Sequence, residues 1–292
     1  MIDLKGAHVA IVTPFRNGQV DYDGLKKLIE FQIDNGTHGI VACGTTGESP
    51  TLSHAEHKQV IQFTVKTVNG RVPVMAGTGS NSTAEASELT QFALDAGANA
   101  SLNVCPYYNK PTERGVIAHF RHIADNCELP IILYNIPGRT GINMSVETIL
   151  TLAKHKNIVG IKEASGSVDQ ASQILERCPK DFAVLSGDDA LTLPIMALGG
   201  TGVVSTTSNV APRLMATLCN EALEGNFKRA RDIHTQLVPL MQAMFCESNP
   251  VPAKSALAMM GLIENDVRLP LVPLTPQHVE QVRQAIKALN II

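Results

Sequence analysis

The interpretation of the fold starts from IILYNIPGRTGINMSVETILTLAKHKNIVGIK, residues 131–162. Two short apolar runs, IILYN and IVGIK, lie at its ends, and the residues between them suit a helix. Strands that alternate with helices along a chain form a parallel sheet. Both runs are almost continuously apolar, which indicates that the sheet is covered on both faces.

The same rhythm extends over the first three quarters of the chain. Eight apolar, β-branched runs recur: HVAIVT (8–13), GIVAC (39–43), PVMAG (73–77), ASLNVC (100–105), IILYN (131–135), IVGIK (158–162), FAVLSG (182–187) and GVVS (202–205). The gaps mostly carry helical patterns, such as residues 22–36, which stop at Gly36, and residues 82–97, which Ser82 or Thr83 caps. Eight such units over about 225 residues match a (β/α)8 barrel, with an open doubly wound sheet as the alternative.

The rhythm changes after the eighth run. Residues 225–292 carry helical patterns only, punctuated by prolines. The sequence therefore predicts an α/β protein with two parts. Residues 1–224 form a catalytic (β/α)8 TIM barrel, and residues 225–292 form a C-terminal helical extension rather than a separate catalytic module.

Composition excludes several classes of function. The chain has 292 residues and a formal net charge of −3, and no basic stripe predicts binding to nucleic acid. No apolar run approaches the roughly 18 residues that a membrane span needs. The N-terminus lacks the features of a signal peptide, and the six cysteines are scattered without a C-x-x-C pair. These features predict a cytoplasmic protein with reduced thiols.

Polar and small residues gather where the predicted strands end. The segments that follow the eight runs contain Thr13-Pro14, GTTGES (44–49), GTGSN (77–81), PYYN (106–109), NIPGRTG (135–141), Lys162-Glu163, SGDD (186–189) and STTSN (205–209). Three of the four tyrosines, Tyr107, Tyr108 and Tyr134, belong to this set. Active sites of such barrels lie at the carboxyl ends of the strands, so this concentration predicts an enzyme.

Three motifs on this rim each allow a functional and a structural interpretation. The two glycines of GTTGES permit a tight turn whose free N–H groups suit a carboxylate, although a plain connecting turn has the same pattern. Tyr134 is either a core tyrosine or a proton donor at a site. Arg139 is either solvated or a bidentate clamp for a carboxylate.

Lys162 carries the sharpest chemical hypothesis. Burial at the end of an apolar strand favours a neutral amine, which can attack a carbonyl and form a Schiff base. The iminium then acts as an electron sink, and a tyrosine on the neighbouring strand can move the protons. The structural alternative is an ion pair with Glu163 or with an acid across the barrel.

Metal chemistry receives little support from the sequence. His54 and His57, and likewise His119 and His122, have the i, i+3 spacing of helical ligands, but no third ligand is near either pair in sequence. The adjacent acids of the SGDD segment suit a helix start better than a cation site. No metal and no other cofactor is predicted.

The motifs together resemble the dihydrodipicolinate synthase family, over essentially the whole chain. This family belongs to the pyruvate-dependent class I aldolases, which also include the N-acetylneuraminate lyases. The shared features are G-x-x-G-E at Gly44–Glu48, Tyr134 and Lys162. YNIPGRTG at residues 134–141 is typical of the synthases, because the lyases usually lack its arginine.

The resemblance implies a role for each catalytic residue. Lys162 forms the Schiff base with pyruvate, and Tyr134 is the central acid and base. Thr45 and Thr46 hold the pyruvate carboxylate or relay protons. Tyr108 completes the relay and reaches the active site of a neighbouring subunit in a homotetramer built from tight dimers.

The resemblance also implies the second substrate and the product. Arg139 binds the carboxylate of L-aspartate 4-semialdehyde, while Gly187 and Val204 line the pocket through backbone groups. The product is 4-hydroxy-tetrahydrodipicolinate, at the first committed step of diaminopimelate and lysine biosynthesis. Two alternatives stay open: an aldolase that takes another aldehyde, and a barrel that has lost catalysis and binds a ligand.

Regulation by L-lysine is the last implication of the resemblance. Family members that L-lysine inhibits have a cleft at the tight-dimer interface, and the matching residues here are Ser49, His54, His57, Asn81, Glu85 and Tyr107. Glu85 could pair with the α-amino group of lysine. Pro50 stands where alanine is common. The alternative is that these residues only cap helices and fill an interface.

Overall fold

The computed structural model describes residues 2–292 and contains a closed barrel of eight parallel strands. The barrel strands are β1 (Gly6–Ala10), β2 (Gly39–Ala42), β3 (Val74–Gly77), β4 (Ala100–Val104), β5 (Ile131–Asn135), β6 (Ile158–Glu163), β7 (Ala183–Ser186) and β8 (Gly202–Ser205). Strand β1 pairs with both β2 and β8, which closes the sheet. The barrel that the sequence predicts is thus confirmed, and the open sheet is wrong.

Helices follow the strands and continue into the C-terminal part of the chain. They are α1 (Tyr22–Asp34), α2 (His54–Val68), α3 (Thr83–Asp95), α4 (Glu113–Asn126), α5 (Pro137–Thr140), α6 (Val146–Leu152), α7 (Val168–Arg177), α8 (Thr192–Ala197), α9 (Pro212–Leu223), α10 (Phe227–Ala243), α11 (Val251–Met259) and α12 (Pro276–Ala288). A two-stranded hairpin, Phe15–Arg16 with Gln19–Val20, follows β1.

Local capping explains where the helices begin. The Ser82 side chain accepts a hydrogen bond from the N–H of Glu85 at the start of α3, as the sequence predicts. The predicted stop at Gly36 follows α1 with φ of 79°, a conformation that favours glycine. Asp188 caps a short 3-10 turn by accepting from the N–H of Ala190, so the predicted helix start at the acidic pair is confirmed.

The strands are apolar on both faces because each face packs against a different layer. In β2, Val41 points into the barrel interior, whereas Ile40 and Ala42 pack against the surrounding helices. Side chains such as Met75 and Leu185 fill the interior. A filled barrel has no central pore, so a site for a small molecule has to lie at one end of the strands.

The C-terminal helices share their core with the barrel. One apolar cluster contains Leu28 of α1, Met215 of α9, Leu240 of α10, Leu257 of α11 and Ile286 of α12. The boundary that we predict between residues 224 and 225 lies in the turn that joins α9 to α10. Within residues 2–292, no helix combines the length and the apolar character that crossing a membrane requires.

Candidate active site

Lys162 lies near the carboxyl end of β6 and is only 7% exposed. Strand register pairs it with Tyr134 of β5. The Lys162 Nζ lies 4.1 Å from the centroid of the Tyr134 ring. Neighbouring strands therefore place the predicted nucleophile beside the predicted acid and base.

Glu163 does not pair with Lys162, and that structural alternative is wrong. Adjacent residues of a strand point to opposite faces, so the two side chains diverge. The Glu163 carboxylate accepts hydrogen bonds from the Ser165 N–H at 2.7 Å and from Asn135 Nδ2 at 3.0 Å. Lys162 forms no ion pair with any group of residues 2–292, and an acid across the barrel is therefore also wrong.

One cavity at the carboxyl ends of the strands, the rim cavity, brings together six of the predicted catalytic and substrate residues. Those that line it are Thr45, Thr46, Tyr134, Arg139, Lys162 and Gly187. Val204 of β8 is buried in the barrel interior, in the same apolar cluster as Leu185 and Tyr134. The rim cavity thus combines an amine, a phenol, two hydroxyls and a guanidinium around a small volume.

The Gly44–Glu48 loop presents free backbone donors to the rim cavity. The turn is closed by the Gly47 N–H, which donates to the Gly44 carbonyl at 3.0 Å, and by the Thr13 hydroxyl, which donates to the Gly47 carbonyl at 2.7 Å. Within residues 2–292, the N–H groups of Thr45 and Thr46 donate to no protein acceptor. Two free N–H groups in a turn suit a carboxylate.

Asn249, which sequence reasoning missed, lines the rim cavity and contacts both Thr46 and Arg139. Its Nδ2 donates to Thr46 Oγ1 at 2.9 Å, and its backbone carbonyl accepts from Arg139 Nη2 at 3.3 Å. Phe245 of the same segment also lines the rim cavity. The segment between α10 and α11 therefore belongs to the site. In the sequence, only the polar run CESNP (246–250) between two helices with apolar faces could have indicated that this segment belongs to the site.

Tyr108 lies outside the rim cavity of its own chain. Its residue is 89% exposed, and its φ of 69° is unusual for a residue that is not glycine. The structure of one chain therefore does not bring Tyr108 to Lys162 and Tyr134. An exposed aromatic residue held in this conformation is available to another subunit.

A second cavity of about 380 Å³ adjoins the rim cavity, and Thr45 and Arg139 line both. We call it the regulatory cavity because the sequence predicts its L-lysine site here. Five of the six residues predicted for L-lysine line it: Ser49, His54, His57, Glu85 and Tyr107. Asn81 does not line it, and its backbone carbonyl accepts from Asn109 Nδ2 at 2.9 Å.

Four side chains that line the regulatory cavity already have partners. The His54 Nε2 lies 3.2 Å from Glu85 Oε1, and Ser80 also bonds to this carboxylate. The His57 Nε2 lies 2.7 Å from the Gly77 carbonyl, and burial lowers the pKa of His57. His54 and His57 therefore face different partners, which does not favour a shared metal ion.

Comparison with known proteins identifies the family. The model of the dihydrodipicolinate synthetase family matches residues 3–289. The 4-hydroxy-tetrahydrodipicolinate synthase of Syntrophus aciditrophicus (strain SB) is 55% identical over 289 residues, which is 99% of each chain. The chloride-inhibited dihydrodipicolinate synthase of Acinetobacter baumannii, solved in complex with pyruvate, is 48% identical with a TM-score of 0.97, over 99% of this chain and 100% of that one.

A further solved structure contains bound lysine. The enzyme from Cyanidioschyzon merolae, with lysine bound, is 42% identical with a TM-score of 0.98, and each chain is covered completely. These matches span the barrel and the C-terminal helices alike. They confirm the resemblance found in the sequence, and they confirm that the chain is an enzyme. The chain belongs to the dihydrodipicolinate synthetase family.

Proposed function

We propose that the chain condenses pyruvate with L-aspartate 4-semialdehyde to give 4-hydroxy-tetrahydrodipicolinate. The reaction is the first committed step of diaminopimelate and lysine biosynthesis, and the enzyme acts in the cytoplasm. One observation carries the proposal: Lys162 is buried at the strand ends without an ion-pair partner and lies beside Tyr134. The names of the curated relatives support the same reaction.

The first half of the reaction activates pyruvate. Its carboxylate binds the free N–H groups of Thr45 and Thr46, which orients the keto carbon toward Lys162. The neutral amine attacks this carbon, and loss of water gives an imine. Tyr134 supplies the proton that the departing water needs. Thr46 and Tyr108 of a neighbouring subunit then return a proton to Tyr134.

The second half forms the carbon–carbon bond. Loss of a proton from the pyruvate methyl group gives an enamine, because the iminium accepts the electron pair. The enamine carbon attacks the aldehyde, whose carboxylate is bound by Arg139. The amino group of the second substrate then attacks the imine carbon and displaces Lys162, which closes the ring and releases the product.

Glycine at position 187 leaves the room that Lys162 needs for these steps. A Cβ atom at this position would lie 3.1 Å from Lys162 Cε and 2.6 Å from the Ala164 Cβ. Val204, in the barrel interior, supports the other side of the pocket. No residue of this mechanism requires a metal or another cofactor.

The identity of the aldehyde separates this proposal from other pyruvate aldolases. Arg139 lines the rim cavity and is exposed there, which suits an acceptor that carries a carboxylate. The test compares pyruvate consumption with L-aspartate 4-semialdehyde, N-acetylmannosamine and glyceraldehyde. We expect turnover with the semialdehyde alone. Turnover with a sugar aldehyde at a similar rate would contradict the assignment, and inactivity with all three would favour a binding protein.

We also infer that L-lysine inhibits the enzyme through the regulatory cavity. Glu85 is a carboxylate suited to the ammonium of the amino acid, and His54 is suited to its carboxylate. Thr45 and Arg139 line this cavity and the rim cavity, so an occupant of one touches groups of the other. In this proposal the enzyme is a homotetramer of tight dimers, with Tyr107 and Tyr108 at a subunit contact. The relative with bound lysine supports this inference.

A further inference from the structure

The Gly44–Glu48 loop ends at a fully buried ion pair. Lys254 of α11 donates from Nζ to Glu48 Oε1, and the side chains of the two residues are 0% and 1% exposed. The other carboxylate oxygen accepts from the Arg268 N–H at 3.2 Å. Lys254 also donates to the Asp266 carbonyl at 2.8 Å, and its Nζ lies 4.0 Å from the centroid of the Phe15 ring. Both charges are therefore enclosed by protein.

Folding alone gives little reason for such a pair. Well-packed apolar residues of similar volume often replace a buried ion pair without loss of stability, because both charges must be removed from water. A buried pair does have one property that apolar contacts lack: it holds two backbone segments at a defined distance and direction. The two segments joined here are the Gly44–Glu48 loop and the start of α11.

The position of Glu48 is transmitted directly to the turn before it. Glu48 has a φ of 53°, a left-handed conformation that is uncommon for a residue with a side chain. Its N–H donates to the Thr45 carbonyl at 3.1 Å. Its carboxylate therefore anchors the residue whose backbone closes the turn over Thr45 and Thr46.

The same C-terminal segment holds the turn at a second point. Asn249 precedes α11 and donates to Thr46 Oγ1 at 2.9 Å. Residues 249–254 therefore contact the loop at both Thr46 and Glu48. Near these two contacts lie the N–H groups of Thr45 and Thr46, which donate to no acceptor within residues 2–292.

We propose that Glu48 and Lys254 are positioning residues whose buried pair holds the N–H groups of Thr45 and Thr46 in place for the substrate carboxylate. This inference rests on the proposed function. Neither residue lines the rim cavity, so both act through the turn. Loss of the ion pair weakens binding of the substrate carboxylate and leaves the reaction of the Lys162 amine with the keto carbon intact.

The test uses two ketones that differ in the carboxylate. Pyruvate and methyl pyruvate both offer a keto carbon to Lys162, but only pyruvate carries the negative charge. Borohydride traps the imine with each ketone, and the concentration for half-maximal trapping gives an apparent affinity. The discrimination ratio is the apparent affinity for pyruvate divided by that for methyl pyruvate. It measures how strongly the site binds the carboxylate, and a loss of folded protein does not change it.

The principal variant is the double substitution Glu48→Gln with Lys254→Met, which removes both buried charges. We expect its apparent affinity for pyruvate to fall about tenfold, the usual effect of losing a well-oriented bond to a charged group, while methyl pyruvate changes by less than about twofold. Glu48→Asp keeps both charges and shortens the link. Glu48→Asp should also lower the discrimination ratio, and it provides the test if the double variant does not fold.

Ile123→Ala is the matched control for lost stability. Ile123 is fully buried in α4, in a different apolar cluster, so its truncation lowers the thermal midpoint without touching the loop. We expect an unchanged discrimination ratio. The inference is overturned if the double variant and Glu48→Asp discriminate like wild type, or if both ketones lose affinity equally. If wild type traps no pyruvate at all, the proposed function fails as well.

Discussion

The reactivity of Lys162 depends on the groups that surround its side chain. Val41, Leu102 and Tyr134 line the rim cavity around it, and Lys162 forms no ion pair with a carboxylate of residues 2–292. The rule that neighbouring strand residues face opposite sides already argues against a pair with Glu163. The sequence alone could not show whether an acid from another strand reaches the amine.

Arg139→Ala tests the clamp for the second substrate. The Arg139 side chain makes one hydrogen bond, to the Asn249 carbonyl, so its loss should barely change the thermal midpoint. We expect KM for L-aspartate 4-semialdehyde to rise by at least about tenfold, since a charge-assisted contact is lost, and KM for pyruvate to change little. Steady-state kinetics with both substrates varied provide the measurement.

Arg177→Ala is the control for this clamp, because Arg177 pairs with Glu147 on the surface. It should leave both KM values unchanged. Equal increases of the two KM values in Arg139→Ala would argue against a clamp for the aldehyde.

Gly187→Ala tests whether Lys162 needs free space beside it. The added Cβ would lie 3.1 Å from Lys162 Cε, so the alanine variant should lower kcat by about tenfold or more through misplacement of the amine. Gly138→Ala is the matched control, because its Cβ would meet no atom within 4 Å. Assays of kcat for both variants provide the comparison, and a Gly187→Ala enzyme as fast as the control would refute the crowding argument.

Among the larger elements, strands and helices follow from local pattern, whereas the segment between α10 and α11 does not. Helical spacing and Ser82 predict α3, because capping and periodicity act within a few residues. Asn249 and Thr46 are 203 residues apart in sequence and meet only in the folded chain. A single sequence carries no record of that contact, so the polar run of residues 246–250 had no predictable partner.

The regulatory cavity is built between the starts of α2 and α3, and its carboxylate suited to an ammonium group is Glu85, which His54 and Ser80 already contact. L-Lysine should inhibit wild type, and Glu85→Ala should raise the half-inhibitory concentration by at least about tenfold, since a charge-assisted contact is lost. Initial rates at increasing L-lysine give the measurement.

Glu88→Ala is a matched control on the same helix. Glu88 pairs with Lys58 at 2.6 Å and does not line the regulatory cavity, so its loss should leave inhibition unchanged. A wild-type enzyme that L-lysine does not inhibit would end the regulatory hypothesis. Equal increases of the half-inhibitory concentration in Glu85→Ala and Glu88→Ala would show that Glu85 does not bind L-lysine in the regulatory cavity.

For the whole molecule, the exposed Tyr108 predicts that active sites are shared between subunits. Tyr108→Phe and Lys162→Ala subunits should each be nearly inactive alone. Mixed in equal amounts and allowed to exchange, they should recover about a quarter of the wild-type sites, because half of the dimers are hybrid and each hybrid has one intact site. Activity of the mixture measures this directly. A mixture no more active than the mean of its parents would place Tyr108 outside the mechanism.

His8, buried in the barrel interior, is one of the groups that make stability depend on pH. Burial, with a smaller contribution from the nearby His38, lowers the pKa of His8 to about 4. The unfolded chain therefore binds a proton at higher pH than the folded chain. The contribution of His8 to stability is therefore complete above about pH 6.5 and is lost toward about pH 4, by up to about 1.4 kcal/mol per pH unit.

His8→Leu should flatten this slope, because the group that titrates between the two states is removed. Denaturant unfolding at pH 7 and pH 5 gives the two free energies of unfolding. His278→Gln, at the start of α12 and remote from the barrel interior, is the control and should leave the contribution of His8 in place. A His8→Leu chain with an unchanged pH dependence would show that other groups govern acid unfolding.

Schiff-base chemistry at Lys162 is the step on which the proposed function depends. The protein is incubated with pyruvate, reduced with borohydride and digested, and the modified peptide is located by mass spectrometry. We expect a single pyruvate adduct, on Lys162, that requires both pyruvate and reductant and that the Lys162→Ala variant does not form. An unmodified protein, or an adduct on another lysine such as Lys254, would contradict the mechanism.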